Sequence, residues 1–392
     1  MDFSFTPEQN AFRAEVREWL AGNLPSGWGG NYNGPDDAEE CAEFRLDWER
    51  TLYRAGYAVV HWPKEYGGRG LTITHHLIVN EELGRVGAPE PINLIGLETA
   101  GPMILAIGTE AQKARFLRRI PAVEDVWCQG FTEPGAGSDL GALTTAAVRE
   151  GDQWVINGRK IWTSFAHAAN WCCVLARTDV SASRFKGMSI LAVPMDCPGI
   201  ELRPLAQLTG RADFNEIVFS DVRIPADSLI GPLNEGWRVA NEAVAKERAL
   251  MRLYRQARFQ NEFEHMLRAA LATPEIRALA AGGHFRQEAA RIWSLLRIHR
   301  YHNLKLIARL EAGESIGAEA SFVRLHWSEM RQRIGHLGLQ VLNSEGAVDD
   351  AQTVGGSRFQ DVYFASRADT IFAGTAQIQR NVIAERLLGL PR

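Results

Sequence analysis

Cysteine is scarce in this chain. Five of 392 residues are Cys (Cys41, Cys128, Cys172, Cys173, Cys197), an odd number with no C-x-x-C pair. That excludes a disulfide framework and a zinc ribbon, and it predicts reduced thiols in a cytoplasmic chain. An excess of one charge is lacking as well: the formal net charge is −4, with acids and bases interspersed. The chain therefore carries neither a nucleic-acid footprint nor a polybasic membrane patch. Long apolar runs are missing. The opening MDFSFTPEQN has an early acid and no apolar core, and LIGLETAGPMILAIG is broken by Glu98 and too short to span a bilayer. Neither export nor a membrane anchor is expected, so a partner is a small molecule or another protein. What is abundant is apolar content, 46% of residues, enough to build several packed layers.

Strand–helix–strand alternation is absent too, which argues against a doubly wound nucleotide fold. Thr6-Pro7-Glu8-Gln9 offers an N-cap, a proline in the first turn and a capping-box partner, followed by Phe12, Val16, Trp19 and Leu20 at helical spacing. Helical patterns recur over 36–56, 72–86 and 110–119. From about 126 short β-type runs take over: Gln153–Ile156 and Lys160–Thr163 around Asn157-Gly158, a hairpin signal, then NWCCVLA, GMSILAVPM, GIELRPL and FNEIVFSDVRIP. In NWCCVLA the neighbouring Cys172 and Cys173 face opposite ways. Helical periodicity returns over 235–270, 285–312, 316–345 and 366–388. The expected fold class is multi-domain α+β: an N-terminal helical domain (1–125), a middle antiparallel β domain (126–228) and a C-terminal four-helix bundle (229–392).

Two motifs are weaker than they look. Gly313-Glu314-Ser315-Ile316-Gly317 fits the G-x-S-x-G elbow of hydrolases, but that elbow needs a strand-to-helix turn and this one joins two helical patterns, so Ser315 reads as an N-cap. His299 and His302 share a helix face without an accompanying acidic motif and read as solvated or core-edge side chains; no metal site is expected. FTEPGAGSDLGAL (131–143) is more informative. Pro134-Gly135-Ala136-Gly137 forces an irregular loop, and Thr132, Ser138 and Asp139 add polar groups suited to a large planar or phosphorylated ligand, although a plain β connection would read the same way. In KIWTSFAHAANW, Trp162 beside Thr163 and Ser164 is either core or the wall of a flat ring with hydroxyl donors at its edge.

Taken in order, PKEYGG (63–68), FTEPGAGSD, NGRKIWTS, FNEIVFSDVRIP and the closing AGTAQIQRNVIAERLLG resemble the acyl-CoA dehydrogenases, a flavin-dependent family, over essentially the whole length. The resemblance implies FAD at the junction of the β domain and the bundle. It assigns Phe131, Thr132 and Ser138 to the flavin- and substrate-facing loop, and Trp162 and Ser164 to the W-x-T motif whose hydroxyl approaches flavin N5; serine keeps that donor. Gln340 falls where the family has Q-x-x-G-G-x-G for the FAD diphosphate, but QVLNSEG retains only Gln340 and Gly346. Thr375 and Gln377 match the loop covering the other end of the cofactor.

The family oxidises an acyl thioester to the trans-2-enoyl-CoA: a carboxylate takes the α-proton while the β-hydrogen leaves as hydride to flavin N5. Most relatives carry that carboxylate in a Tyr-Glu-Gly-Thr loop. Here the loop is Phe372-Ala373-Gly374-Thr375, and TIFAGTAQIQRN (370–381) contains no acid at all. A minority of the family places the glutamate on the first long bundle helix, immediately before an arginine, and Glu247-Arg248 stand at that position. The resemblance therefore implies Glu247 as catalytic base, Arg248 as its orienting partner or a contact for the pantetheine-phosphate end, and the Ala373 backbone N–H as a donor to the thioester oxygen. Room around Ala373 suits branched, long or bulky sterol-type acyl groups. The family's Arg-x-Phe-Gly segment, which reaches a neighbouring subunit's FAD, is missing between 268 and 290, where Arg277 and Arg286 are the candidate substitutes. A homo-oligomer or a heteromer with a paralogous subunit follows, with an electron-transfer flavoprotein as electron acceptor. The alternatives are a non-catalytic partner subunit and a dehydrogenase of carrier-protein-bound acyl chains.

Overall fold

The structure, a computed structural model, describes residues 3–25, 38–240, 253–271, 274–314, 316–342 and 358–391. Its contacts separate two compact units. A helical unit comprises Met1–Gly34, Thr72–Pro89 and Arg252–Arg392; a sheet unit comprises Pro35–Leu71 and Glu90–Met251.

In the helical unit, α1 (Pro7–Asn23) begins with the expected capping box: the Thr6 hydroxyl accepts from Gln9 N at 3.2 Å, and the Gln9 side chain accepts from Thr6 N at 3.0 Å. Phe12, Val16 and Leu20 form its buried stripe, while Trp19 turns outward to the half-buried rim. An ion-pair network fastens α1 to α3 (Ile73–Arg85). Arg13 reaches Glu81 and Glu82, both at 2.7 Å, and Arg17 reaches Glu82 at 2.8 Å.

The C-terminal part of this unit contains α6 (Leu253–Ala269), α7 (Pro274–Ala280), α8 (Gly283–Glu311), α9 (Glu319–Leu342), α10 (Arg358–Asp369) and the short α11 (Ala376–Val382). Their common core holds Phe259, Phe263, Ile292, Leu296, Trp327, Met330, Ile334 and Leu337. His299 lies inside, 2% exposed, deeper than the solvated or core-edge position expected of it. Burial lowers its pKa to about 3 and keeps the ring neutral, the opposite of a solvated face. Among the described residues no group of three His, Cys, Asp or Glu side chains is placed to hold a metal ion. Ser315 lies outside the described residues.

The sheet unit holds α2 (Ala38–Arg54), α4 (Gly101–Ile107), α5 (Glu110–Phe116) and a twisted sheet. Its strands are β1 (Trp127–Gly130), β2 (Ala146–Glu150), β3 (Gln153–Ser164), β4 (Trp171–Arg177), β5 (Met188–Pro194), β6 (Ile200–Leu205), β7 (Phe214–Pro225) and β8 (Leu229–Ile230). The order is β6-β7-β3-β2-β4-β5-β8, with β1 alongside β4. Pairing is antiparallel except for β1 with β4 and a single β2–β4 step. Strands β4 and β5 are buried on both faces. Cys173, Leu175, Ile190 and Ala192 meet Trp62, Met103, Phe116 and Trp127 on one side; Cys172, Val174, Leu191 and Val193 meet Trp154, Ile156, Ile217 and Phe219 on the other. The adjacent cysteines thus serve two cores, as the period of two requires.

Asn157-Gly158 does not turn a hairpin. β3 runs straight through it, and the chain reverses earlier, where Glu150 pairs with Gln153 and Gly151 takes φ 61°. Two contacts explain the difference. A Cβ on Gly158 would fall 2.6 Å from Thr145 Cα, so the glycine is there for close backbone approach. Asn157 fastens to β7 instead, donating to Asp221 Oδ1 at 3.0 Å and accepting from Asp221 N at 2.9 Å. The register shift at this point is a bulge.

Gly335 plays the same close-packing role in the helical unit, where a Cβ would lie 2.8 Å from Tyr363 Cα on α10. Gly335→Ala gains about 1 kcal/mol in helix propensity but must push two backbones apart, at a cost of about 1–3 kcal/mol. The expected outcome is a net loss of stability with a lower urea midpoint; a rise in the midpoint would show that the contact is slack.

Candidate active site

A second bulge shapes the sheet unit's part of the site. Between Lys160 and Thr163 the pairing of β3 with β7 slips, and Trp162 takes φ 60°, a left-handed conformation uncommon for a bulky residue. The twist turns the indole outward, leaving it 56% exposed with its edge toward the Phe214 ring at 6.1 Å. Ile161 N donates to Thr132 O at 2.8 Å, which ties the bulge to the FTEPGAGSD loop. Phe131, Thr132 and Ser164 are half-buried beside it, and Ser138 is exposed on the same loop.

The loop is held from beneath by Lys160, which the sequence reading passed over. Its side chain is fully buried, and Nζ donates to Phe131 O at 3.0 Å and to Glu133 Oε1 at 2.8 Å. Glu133 also accepts from Thr144 N (2.7 Å), Thr144 Oγ1 (2.8 Å) and Thr145 N (2.8 Å). Burial by itself would raise this carboxyl, but the Lys160 charge and these donors outweigh it and hold the pKa at about 2. Burial in turn pushes the Lys160 ammonium below its ordinary value, against the pull of Glu133. The pattern K-x-W after a strand, with T-E-P upstream, is the signal that could have found this pair.

In the helical unit the Phe372–Thr375 loop joins α10 to α11. Ala373 is exposed with φ 51°, and Gly374 follows at φ 89°. Gln379 Nε2 donates to the carbonyls of both, at 3.2 and 3.3 Å. Thr375 caps α11, its hydroxyl accepting from Ile378 N at 3.2 Å. The N–H groups of Ile371, Phe372 and Ala376 have backbone acceptors, but those of Ala373, Gly374 and Thr375 have none among the described residues. Gln377 and Gln340 are exposed, as are Arg277, which donates to Leu271 O at 2.9 Å, and Arg286. Glu247, Arg248 and Gly346 lie outside the described residues.

The outward Trp162 indole offers a flat apolar wall, and the half-buried Thr132 and Ser164 on the adjoining loop and strand carry hydroxyls, the chemistry that an isoalloxazine ring and its polar edge require. These residues fit the cofactor.

Residues 6–124, 128–222 and 234–388 match the N-terminal, middle and C-terminal domains of the acyl-CoA dehydrogenases. The chain belongs to the acyl-CoA dehydrogenase family. It is similar to acyl-CoA dehydrogenase IpdE1 of Mycobacterium tuberculosis, 42% identical over 386 residues that cover 97% of each chain. Among solved structures it is similar to the Tcur3481-Tcur3483 steroid ACAD (28% identity, TM-score 0.88, 100% of both chains). It is also similar to the ChsE4-ChsE5 complex from Mycobacterium tuberculosis (28% identity, TM-score 0.85, 100% of both chains). As an acyl-CoA dehydrogenase the chain is an FAD-dependent oxidoreductase, and the order of helical, sheet and helical domains is the family's. No helix among the described residues is long and apolar enough to cross a membrane.

Removing one member of the Lys160–Glu133 pair strands the other as a buried charge. Lys160→Met and Glu133→Gln should each cost about 3–5 kcal/mol, measured by urea unfolding, while an apolar replacement of both should restore much of the loss. Because the folded pKa of Glu133 lies below the roughly 4.3 of an unfolded glutamate, its contribution is present above that value and fades as pH falls toward about 2. Urea midpoints followed downward from pH 5 should therefore fall less steeply in Glu133→Gln than in the native chain.

Proposed function

We propose that this acyl-CoA dehydrogenase oxidises a bulky acyl-CoA thioester, branched, long or ring-bearing, to the trans-2-enoyl-CoA, with Glu247 taking the α-proton. The observation that carries this reading is the Phe372–Thr375 loop, which presents a backbone donor at Ala373 and no acid. A loop of that kind can stabilise charge on a thioester oxygen, but it cannot accept a proton from carbon. The acid must come from another element.

The residues that would hold FAD are Phe131, Thr132, Ser138, Trp162 and Ser164 in the sheet unit, and Gln340, Gly346, Thr375 and Gln377 in the helical unit. Bound there, FAD supplies the acceptor for the β-hydrogen, which leaves as hydride. The chain's own residues do the rest. The Ala373 N–H donates to the thioester oxygen and stabilises the enolate-like charge that develops as the α-proton leaves. Glu247 receives that proton, which requires its carboxyl to be desolvated enough to act as a base toward carbon, and Arg248 orients it. A methyl group at position 373, in place of a glutamate side chain, leaves space beside the α-carbon for a ring or a branch. The steroid ACAD among the structural neighbours supports that choice of substrate class. Electrons then pass to an electron-transfer flavoprotein.

A second reading has a specific observation behind it. Both solved neighbours are named as pairs of chains, and this chain keeps only two positions of the diphosphate loop and lacks the Arg-x-Phe-Gly segment. A heteromer with a paralogous subunit would supply the missing contacts, and this chain would then be one half of a shared enzyme.

Anaerobic titration separates the two. A steroid-like acyl-CoA should bleach the oxidised flavin band of the native chain, and Glu247→Gln should retain the flavin while bleaching slows by on the order of 10²–10⁴-fold. Bleaching at an unchanged rate would remove Glu247 from the chemistry. Flavin retained only after co-expression with a paralogous chain would favour the heteromer.

A further inference from the structure

Arg324, on α9, is 7% exposed, an unusual degree of burial for a guanidinium that has no carboxylate hydrogen-bonded to it among the described residues. It lies over the rings of Trp327 and Phe372, at 4.4 and 5.0 Å, and its Nη2 donates to the Phe372 carbonyl at 2.5 Å. Its Nε has no partner among the described residues. Asp369, whose charge attracts it, is held by Arg331 at 3.2 Å. Arg255 lies over the same two rings, at 4.4 and 5.5 Å, and adds a like charge. Burial first, and Arg255 second, bring the Arg324 pKa down to about 10, so the group remains a cation at neutral pH. The fold thus keeps a cation out of water to meet a neutral carbonyl, and that carbonyl belongs to one particular peptide.

The Phe372 carbonyl and the Ala373 N–H are the two ends of a single planar, trans peptide group. Whatever fixes the oxygen fixes the direction of the N–H on the opposite side. A cationic donor on the oxygen also polarises the group, making its N–H a stronger donor. Gln379 secures the next two carbonyls of the loop, which leaves the Phe372–Ala373 peptide as the unit governed by Arg324.

We propose that Arg324 is a positioning residue for the thioester oxygen: by binding the Phe372 carbonyl it aims and strengthens the Ala373 N–H. The two aromatic rings hold the guanidinium plane, and the hydrogen bond transmits that rigidity to the peptide. This rests on the reading of the Ala373 N–H as the donor to substrate.

The test compares two ligands on the flavin-loaded protein by calorimetry. One is 3-thiaoctanoyl-CoA, whose β position is sulfur and has no hydride to give; the other is the corresponding thioether, which lacks the carbonyl oxygen. The native protein should bind the thioester more tightly by roughly threefold to tenfold, the range of one hydrogen bond. In Arg324→Met that preference should vanish while affinity for the thioether stays the same, and with an oxidisable acyl-CoA kcat should fall more than KM rises. Arg324→Lys keeps the cation without the planar stack and should recover part of the preference; it carries the same comparison if the methionine variant fails to fold. An unchanged preference in the variants, or an equal loss of affinity for both ligands, would overturn the positioning role. No preference in the native protein would instead overturn the Ala373 reading beneath it.

Discussion

A lysine ammonium sealed from water fixes the sheet unit's part of this enzyme. Lys160 has two acceptors, the Phe131 carbonyl and the Glu133 carboxylate, and both lie in the loop that precedes β2. An ammonium in that position is tolerable only while both bonds are made. The requirement locks the FTEPGAGSD loop to β3 one residue before the strand bulges. The bulge then does what an ordinary strand cannot, turning a tryptophan out at φ 60° beside two hydroxyl-bearing residues. Buried electrostatics, backbone strain and an exposed flat surface are therefore successive consequences of one ion pair.

The helical unit solves a different problem with related means. Its loop at Phe372–Thr375 has two successive residues at positive φ, three carbonyls held by side chains, and N–H groups at Ala373, Gly374 and Thr375 without an acceptor among the described residues. In the reaction proposed above, the donor to the thioester oxygen is backbone and survives any side chain but proline, so a loop without a glutamate keeps it. A proton acceptor on another element would then leave space at position 373 for a bulky acyl group.

Much of this was legible in the sequence, for physical reasons. The capping box at Thr6 and Gln9 is a local rule and held. The alternation of NWCCVLA gave two buried faces, and the change of periodicity along the chain marked helix, sheet and helix. Local rules also failed where a distant partner outweighed them. Asn157-Gly158 has the composition of a turn, yet the close approach of Thr145 and the bonds to Asp221 make it a bulge within a strand. His299 read as solvated or core-edge from its own helix, and only packing against other helices buries it fully. Lys160 with Glu133, and Arg324 with Phe372, stand 27 and 48 positions apart. No periodicity connects such residues, and the second pair joins a side chain to a backbone atom, which leaves no compositional trace.

The most direct measurement is exchange of the α-hydrogens of 3-thiaoctanoyl-CoA with solvent deuterium, catalysed by the purified, flavin-loaded chain and followed by mass spectrometry. Hydride transfer is impossible with this ligand, so deuterium uptake reports the proton acceptor and the oxygen donor alone. The account predicts uptake by this chain without any partner, abolished in Glu247→Gln. Uptake that persists in the variant, or that appears only when a second subunit is added, would contradict it.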